Sequence, residues 1–183
     1  RLRTASVLRL TGEPPRGAIF PLRPMPPPPA PPPDVWRRHG LLFGHRRIAV
    51  RDEPPCFTDH PLTGEHWTGA QEPWWRIGDF AGDDIKLVWE LSRFAWLAPM
   101  AQQARAGEAG AHDRLNAWLD RWIVDNPPYR GPNWKCGQEA SLRVLVLALT
   151  SSILCQAETP SEALMALIRG VPPEKTNEQA QLV

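Results

Sequence analysis

The sequence predicts an all-α protein, built as an array of antiparallel helical hairpins behind an irregular, proline-rich N-terminal segment. From residue 84 onward, apolar side chains recur at helical spacing in segments joined by short connections, which is typical of antiparallel helices. Before residue 84, proline is too frequent for long regular elements. The chain has 22 prolines, many of them between Pro24 and Pro33.

These patterns divide the chain into four segments. Residues 1–34 form a proline-rich extended segment, which we expect to adopt polyproline II geometry as a semi-rigid spacer. Residues 35–83 form an irregular, tryptophan-rich lead-in, in which Leu41–His45 and Arg47–Val50 are candidate short strands. Residues 84–170 form the helical domain, and residues 171–183 form a polar tail without periodicity, predicted to be disordered.

The first two predicted helices are amphipathic. Helix one spans 84–105, with Asp83 or Asp84 as its N-cap, a kink at Pro99, and an apolar stripe at Leu87, Leu91, Phe94 and Ala98. Helix two spans 111–124 and ends at Asn126-Pro127-Pro128. Its stripe consists of Leu115, Trp118, Leu119, Trp122 and Ile123.

Two further helices are predicted after this stop. Helix three spans 134–156, and helix four spans 161–169. On helix three, Glu139 and Arg143 are four residues apart, a spacing that lets them pair along the surface. Its predicted core face consists of Leu142, Leu145, Val146, Leu149 and Ile153.

Composition and spacing exclude several classes of function. The net charge is +1 and the arginines are dispersed, so we expect no nucleic-acid partner. No apolar run approaches the roughly 20 residues that span a bilayer, so we expect no membrane span. The three cysteines form no C-x-x-C pair and the five histidines have no ligand spacing. No metal site and no cofactor are therefore predicted.

Candidate binding residues come from helices that mix aromatic and charged side chains. Aromatic faces stack on pyranose rings, and the arginine fork binds carboxylate or sulfate, so this mixture favours a cleft for a charged sugar. Capping and internal ion pairing are the alternative roles for the same residues. The candidates are Trp89, Glu90, Arg93, Asn133, Trp134, Glu139 and Arg143.

Four strings in order resemble the N-terminal domain of the heparinase II/III family of polysaccharide lyases. They are Asp84–Phe94 (D-I-K-x-x-W-E-x-x-R-F), Trp122–Pro128 (W-I-x-x-N-P-P), Gly131–Trp134 (G-x-N-W) and Glu139–Arg143 (E-x-x-x-R). The looser stretch Asp59–Trp67 is similar to the family's D-P-x-T-G-x-x-W lead-in. The resemblance covers about residues 40–168.

The resemblance implies an incomplete α/α toroid, normally followed by a β-sandwich domain of the same protein. It implies β-elimination of an anionic, uronate-containing polysaccharide, and a periplasmic or extracytoplasmic location. The family's catalytic bases lie after the matched region, and the residues beyond Arg169 do not resemble the family's continuation. No catalytic residue is therefore carried over, and we expect this chain, as a truncated part of such a lyase, to be inactive alone.

Other functions stay open at this point. A non-catalytic carbohydrate-binding or scaffolding fragment would have the same helices. An α/α-toroid glycosidase fragment would need a carboxylate pair, for which Glu90 and Glu139 are the candidates. A helical adaptor would use the proline tract as an SH3-type ligand. Tyr129 is a weaker candidate for a catalytic base because it lies outside the family's catalytic string.

Overall fold

The computed structural model describes residues 38–78 and 84–154, together with Pro33. Helices account for about half of these residues, and a small two-stranded sheet precedes them. The predicted proline-rich segment other than Pro33, the predicted helix 161–169 and the predicted tail lie outside the described residues. The elements are β1 (His39–Leu42), β2 (Arg46–Ala49), the 3-10 turn η1 (Trp74–Arg76), α1 (Lys86–Ser92), α2 (Leu97–Arg105), α3 (Ala111–Asp125), the 3-10 turn η2 (Pro132–Trp134) and α4 (Gly137–Leu154).

The two strands form an antiparallel hairpin that overlaps both candidate strand segments, but residues 43–45 of the first candidate form the connecting turn. His39 pairs with Ala49 and Leu42 pairs with Arg46. The connecting turn places Phe43 and Gly44 at positive φ, of 52° and 71°. Leu42 is buried in the main core, so the hairpin packs against the helices.

The first predicted helix is wrong as a single element. It is broken between α1 and α2, at Phe94, whose φ of 63° lies in the left-handed region. The break therefore precedes Pro99, which occupies the first turn of α2, where proline is tolerated because no intrahelical N–H bond is needed. Asp84 still supports the start of α1, since its carboxylate accepts a hydrogen bond of 3.0 Å from the backbone N–H of Lys86.

The end of α2 and the whole of α3 follow the sequence closely. Beyond α2, Gly107 is left-handed, and the N–H groups of Gly107 and Glu108 bond back to Ala104 O and Gln103 O at 3.0 and 3.1 Å. This pair of bonds is the Schellman arrangement that ends many helices. Helix α3 begins at Ala111 as predicted and ends one residue beyond the prediction. All five residues of its predicted stripe are buried: Leu115, Trp118, Leu119, Trp122 and Ile123.

The predicted core face of α4 is wrong at Leu145 and Leu149, which are exposed. Ile153 is buried as predicted, and Leu147, which was not predicted, is also buried in the core. The buried side of α4 also carries polar residues, which are stable inside because they have partners. Thr150, for example, donates a 2.8 Å hydrogen bond to the carbonyl of Val146. The remaining buried polar residues of this face are Glu139, Arg143 and Ser151.

An aromatic core holds the lead-in against the helices. Phe57 lies 5.7 Å from the ring of Trp96 and 6.2 Å from the ring of Trp118, centroid to centroid. Phe94 packs edge to face on Trp122 at 5.0 Å, so the residue at the helix break is a core residue. Across the described ranges, we find no helix with the length and apolar character needed to cross a membrane.

Candidate functional site

Three of the predicted site residues form a buried ion cluster, which we define as Glu90, Arg93 and Glu139. Arg93 donates from Nε to Glu139 Oε2 at 2.8 Å and from Nη2 to Glu139 Oε1 at 2.7 Å. Its Nη1 donates to Glu90. The hydrogen bonds to Glu139 hold the pKa of the Arg93 guanidinium above its ordinary value, so the arginine is charged at neutral pH. Glu90 also accepts a bond from the backbone N–H of Phe43, which ties the β-hairpin to α1.

The predicted surface pairing of Glu139 with Arg143 is wrong, because both side chains are buried and Glu139 binds Arg93 instead. Arg143 donates from Nη2 to the carbonyl of Asn133 at 2.8 Å. Its guanidinium lies over the rings of Trp122 and Trp134, at 5.2 and 5.9 Å from their centroids. Such cation–π contacts stabilise a buried cation.

Burial lowers the pKa of Arg143 to about 10. The side chain is therefore still charged at neutral pH. Its Nη1 is buried and has no hydrogen-bond partner among the described residues. A buried charge with one unsatisfied nitrogen is costly, and here the two indole faces offset part of that cost.

The turn η2 joins these groups to the rest of the site. The side-chain amide of Asn133 is fully buried and donates to Phe57 O at 3.1 Å and to Asn126 Oδ1 at 2.7 Å. The indole N–H of Trp134 donates to Asn126 O at 3.0 Å, and that of Trp89 donates to Pro132 O at 2.8 Å. Asn126 thus serves both as the end of α3 and as an anchor for η2.

All seven predicted site residues therefore lie around η2 and the first turns of α4. Most of their polar atoms bind one another. Trp89, Arg93 and Trp134 are half-buried, and they are the members that reach the surface. The capping and ion-pairing roles considered for the seven residues are thus present in the structure.

The surface beside η2 carries three exposed aromatic residues that the candidate set did not include, Trp74, Trp75 and Tyr129. Their exposed fractions are 38%, 57% and 53%. The backbone N–H of Trp74 donates to Tyr129 O at 3.1 Å, so the three side chains leave two adjoining stretches of backbone. Trp67, from the same tryptophan-rich lead-in, is buried. Sequence alone could not separate the buried tryptophan from the exposed pair, because all three lie in non-periodic segments.

A second group that sequence reasoning missed lies in the lead-in. Ligand atoms of Cys56, Asp59 and His66 lie within 4.8 Å of one another. Asp59 Oδ1 and His66 Nδ1 are hydrogen-bonded at 2.7 Å, and Asp59 and His66 pair across an isolated β-bridge. That bond accounts for the closeness of the carboxylate and the imidazole. Cys56 and Asp59 also line an open cavity of about 450 Å³, which none of the seven predicted residues lines.

Comparison of the chain with protein-family models, with curated proteins and with solved structures finds no match. The function proposed for this site consequently rests on the four motif strings and on the geometry of the site.

Proposed function

We propose that this chain is the polysaccharide-binding part of a heparinase II/III-like lyase, with its helices belonging to an α/α toroid. The observation that carries the proposal is the convergence of the four motif strings. They are spread along the chain from residue 84 to residue 143, yet residues of each string meet around η2. This convergence supports the proposal because it brings aromatic and charged side chains of all four strings to one region, as a sugar-binding cleft requires.

The chemistry of the surface supports an anionic ligand. Arg93 is 32% exposed, and three of its N–H groups bind the two glutamates. A guanidinium has five N–H donors, so two remain for a ligand carboxylate. Trp89 and Trp134 are both half-buried and belong to the same region, since Trp89 bonds to Pro132 O of η2 and Trp134 is the last residue of η2. An arginine fork beside aromatic edges suits a uronate residue, whose ring is apolar on its faces and whose carboxylate is charged.

The glycosidase alternative has less support. A glycosidase needs one carboxylic acid and one carboxylate on either side of an open cleft. Glu90 and Glu139 are both buried, and both accept hydrogen bonds from the same arginine, Arg93. They therefore meet at one guanidinium and do not face each other across an open cleft.

The residues that would perform β-elimination are proposed to lie in other parts of the same protein, together with the β-sandwich that the resemblance implies. No residue of this chain matches the family's catalytic string. The chain alone is therefore expected to bind polysaccharide without cleaving it. A polysaccharide-binding protein without any catalytic part would give the same result. Lyase activity of the full-length gene product distinguishes that protein from part of a lyase.

Affinity electrophoresis tests the proposal. The protein is run through gels that contain alginate, heparin, neutral dextran or polyglutamate, the last being a carboxylate polymer without sugar rings. We expect retardation by at least one uronate polysaccharide, and little retardation by dextran or polyglutamate. Equal retardation by polyglutamate would reduce the effect to charge attraction and overturn the proposal. The absorbance of unsaturated uronate is measured in parallel, and is expected to stay at baseline.

A further inference from the structure

The exposed rings of Trp74, Trp75 and Tyr129, defined here as the aromatic platform, have no role in the core. Trp75 and Tyr129 are each more than half exposed. Exposed large aromatic side chains that cluster are a mark of binding surfaces, since each leaves apolar area in water. Single exposed aromatics need no explanation, but three from adjoining backbone do.

The structure holds this platform rigidly. Trp74 and Trp75 meet edge to face, with ring centroids 5.9 Å apart and planes at 90°. Tyr129 packs on Trp134 at 5.8 Å, which connects the platform to η2. Two rings that are fixed by contacts lose little entropy when a ligand stacks on them.

The backbone beneath the platform is strained and closely packed. Tyr129 has a φ of 64°, which is costly for a residue other than glycine. It is held there because Pro73 and Arg130 form an isolated β-bridge and the N–H of Gly131 donates to Glu72 O at 2.8 Å. Strained non-glycine residues that the surrounding structure enforces are concentrated at ligand sites. Here the strain fixes the direction in which an exposed tyrosine leaves the surface.

Charge beside the platform favours an anion. Arg76 follows Trp75 in η1, Arg130 follows Tyr129, and both are exposed. One nitrogen of Arg130 donates to Gln71 O at 3.0 Å, which fixes the guanidinium against the backbone that leads to Trp74. Glu72 is the acidic residue next to Pro73, and its side chain packs against Gly69. A Cβ added to Gly69 would lie 3.5 Å from the Cγ of Glu72.

We propose that the aromatic platform is a subsite for one or two pyranose rings of an anionic oligosaccharide, with Arg76 and Arg130 binding its carboxylate or sulfate groups. This inference rests on the proposed polysaccharide-binding function and goes beyond it, because it assigns ring stacking to residues outside the seven predicted ones. The ion cluster then supports η2, and the ligand contacts the exposed surface beside η2.

Titration calorimetry with an oligomannuronate hexasaccharide and a heparin-derived hexasaccharide tests this assignment on the full chain. Trp75→Ala and Tyr129→Ala are each expected to weaken binding of the better probe about tenfold, because each removes one stacking face. Tyr129→Phe keeps the ring and is expected to bind within about threefold of wild type. Leu145→Ala is the matched control, since Leu145 is an exposed apolar residue on α4.

Charge and stacking are separated by a second pair of variants. Arg76→Gln and Arg130→Gln are expected to weaken binding of the hexasaccharide and to reduce its salt dependence. Far-ultraviolet circular dichroism should be unchanged in all variants, because every substituted side chain is exposed.

The outcomes distinguish this inference from the function it rests on. If wild type binds a hexasaccharide and the Trp75 and Tyr129 alanine variants bind it equally well, the platform assignment is overturned and the proposed function stands. If wild type binds neither probe, the proposed function itself fails. If Trp75→Ala changes the sedimentation coefficient and leaves sugar affinity unchanged, the platform is a contact between copies of the chain and the assignment is again overturned.

Discussion

Arg93 binds Glu139 through two parallel hydrogen bonds, from Nε to Oε2 at 2.8 Å and from Nη2 to Oε1 at 2.7 Å. The residues are 46 positions apart, and the pair joins the end of α1 to the first turn of α4. Because Glu90 binds the same guanidinium, one arginine is shared by two buried glutamate side chains. The pair therefore joins the first motif string, which contains Arg93, to the fourth, which contains Glu139.

Arg93→Ala is expected to lower the free energy of unfolding by about 3 kcal/mol or more, since it leaves two buried carboxylates without their cation. Chemical denaturation followed by tryptophan fluorescence measures the change. The control is Arg121→Ala. Arg121 is about half exposed and pairs with Asp125 four residues away, and such pairs contribute at most about 1 kcal/mol. Equal losses in the two variants would contradict a structural role for the ion cluster.

Arg143 stabilises the site by packing between two indole rings and by its hydrogen bond to the carbonyl of Asn133. Arg143→Met retains a long side chain between Trp122 and Trp134, and is expected to cost about 1–2 kcal/mol, from the unsatisfied carbonyl of Asn133. Arg143→Ala also opens a cavity between the rings and is expected to cost about 3 kcal/mol or more. Thermal and urea unfolding of the two variants gives the comparison. If both lose the same stability, packing by the arginine stem contributes nothing.

The pH dependence of the same residue has a definite sign. Burial lowers the folded-state pKa of Arg143 to about 10, which is below its ordinary value, so above this pH the unfolded chain binds more protons than the folded chain. Stability from this residue is therefore unchanged with pH below about 10 and rises above it. The stability difference between wild type and Arg143→Met should be flat from neutral pH up to that point and then shift in favour of wild type. A shift in the opposite direction would contradict the assigned cause, which is burial.

Two leucines of α4 test its orientation. Leu147 is 3% exposed, and Leu147→Ala is expected to cost about 3 kcal/mol, through lost burial and the cavity that remains. Leu145 is 66% exposed, and Leu145→Ala is expected to stay within about 0.5 kcal/mol of wild type. Chemical denaturation of the two variants under identical conditions measures the loss in the free energy of unfolding for each. A larger loss for Leu145→Ala would mean that the predicted leucine stripe faces the core after all.

Gly131 is required by both its conformation and its surroundings. Its φ is 78°, and an added Cβ would lie 2.5 Å from Ala70 O. Gly131→Ala is therefore expected to cost about 2 kcal/mol or more, and to weaken sugar binding by shifting Tyr129. Gly107→Ala is the matched control, because Gly107 has a φ of 79° but open space around it. It should cost only the left-handed penalty, about 1 kcal/mol, and equal losses would argue against the close contact with Ala70.

The sequence predicted those elements in which local signals agree. Helix α3 has a regular stripe and a proline stop, and its bounds were predicted to within one residue. The break at Phe94 was missed because its apolar spacing continues that of α1, and no proline or glycine marks the left-handed residue. The position of a core aromatic here depends on its contact with Trp122, which no local pattern contains.

The seven candidate residues lie together in the fold, but the sequence did not predict how their side chains pair, and their role in binding sugar stays a prediction. Convergence of Arg93, Glu139 and Arg143 follows from helices packed side by side, but the choice of Arg93 over Arg143 as the partner of Glu139 does not. The face of α4 was predicted incorrectly because periodicity assumes that polar residues point outward. Paired ones, such as Glu139, need not.

The central claim is that this chain binds uronate oligosaccharides through sugar rings and carboxylates together. The most direct measurement is calorimetric titration of wild type with an oligomannuronate hexasaccharide and with the same oligosaccharide after reduction of its carboxylates to alcohols, at one ionic strength. We expect saturable binding of the uronate oligosaccharide, with an affinity about tenfold or more higher than that of its reduced counterpart. Binding of neither, or equal binding of both, would contradict it.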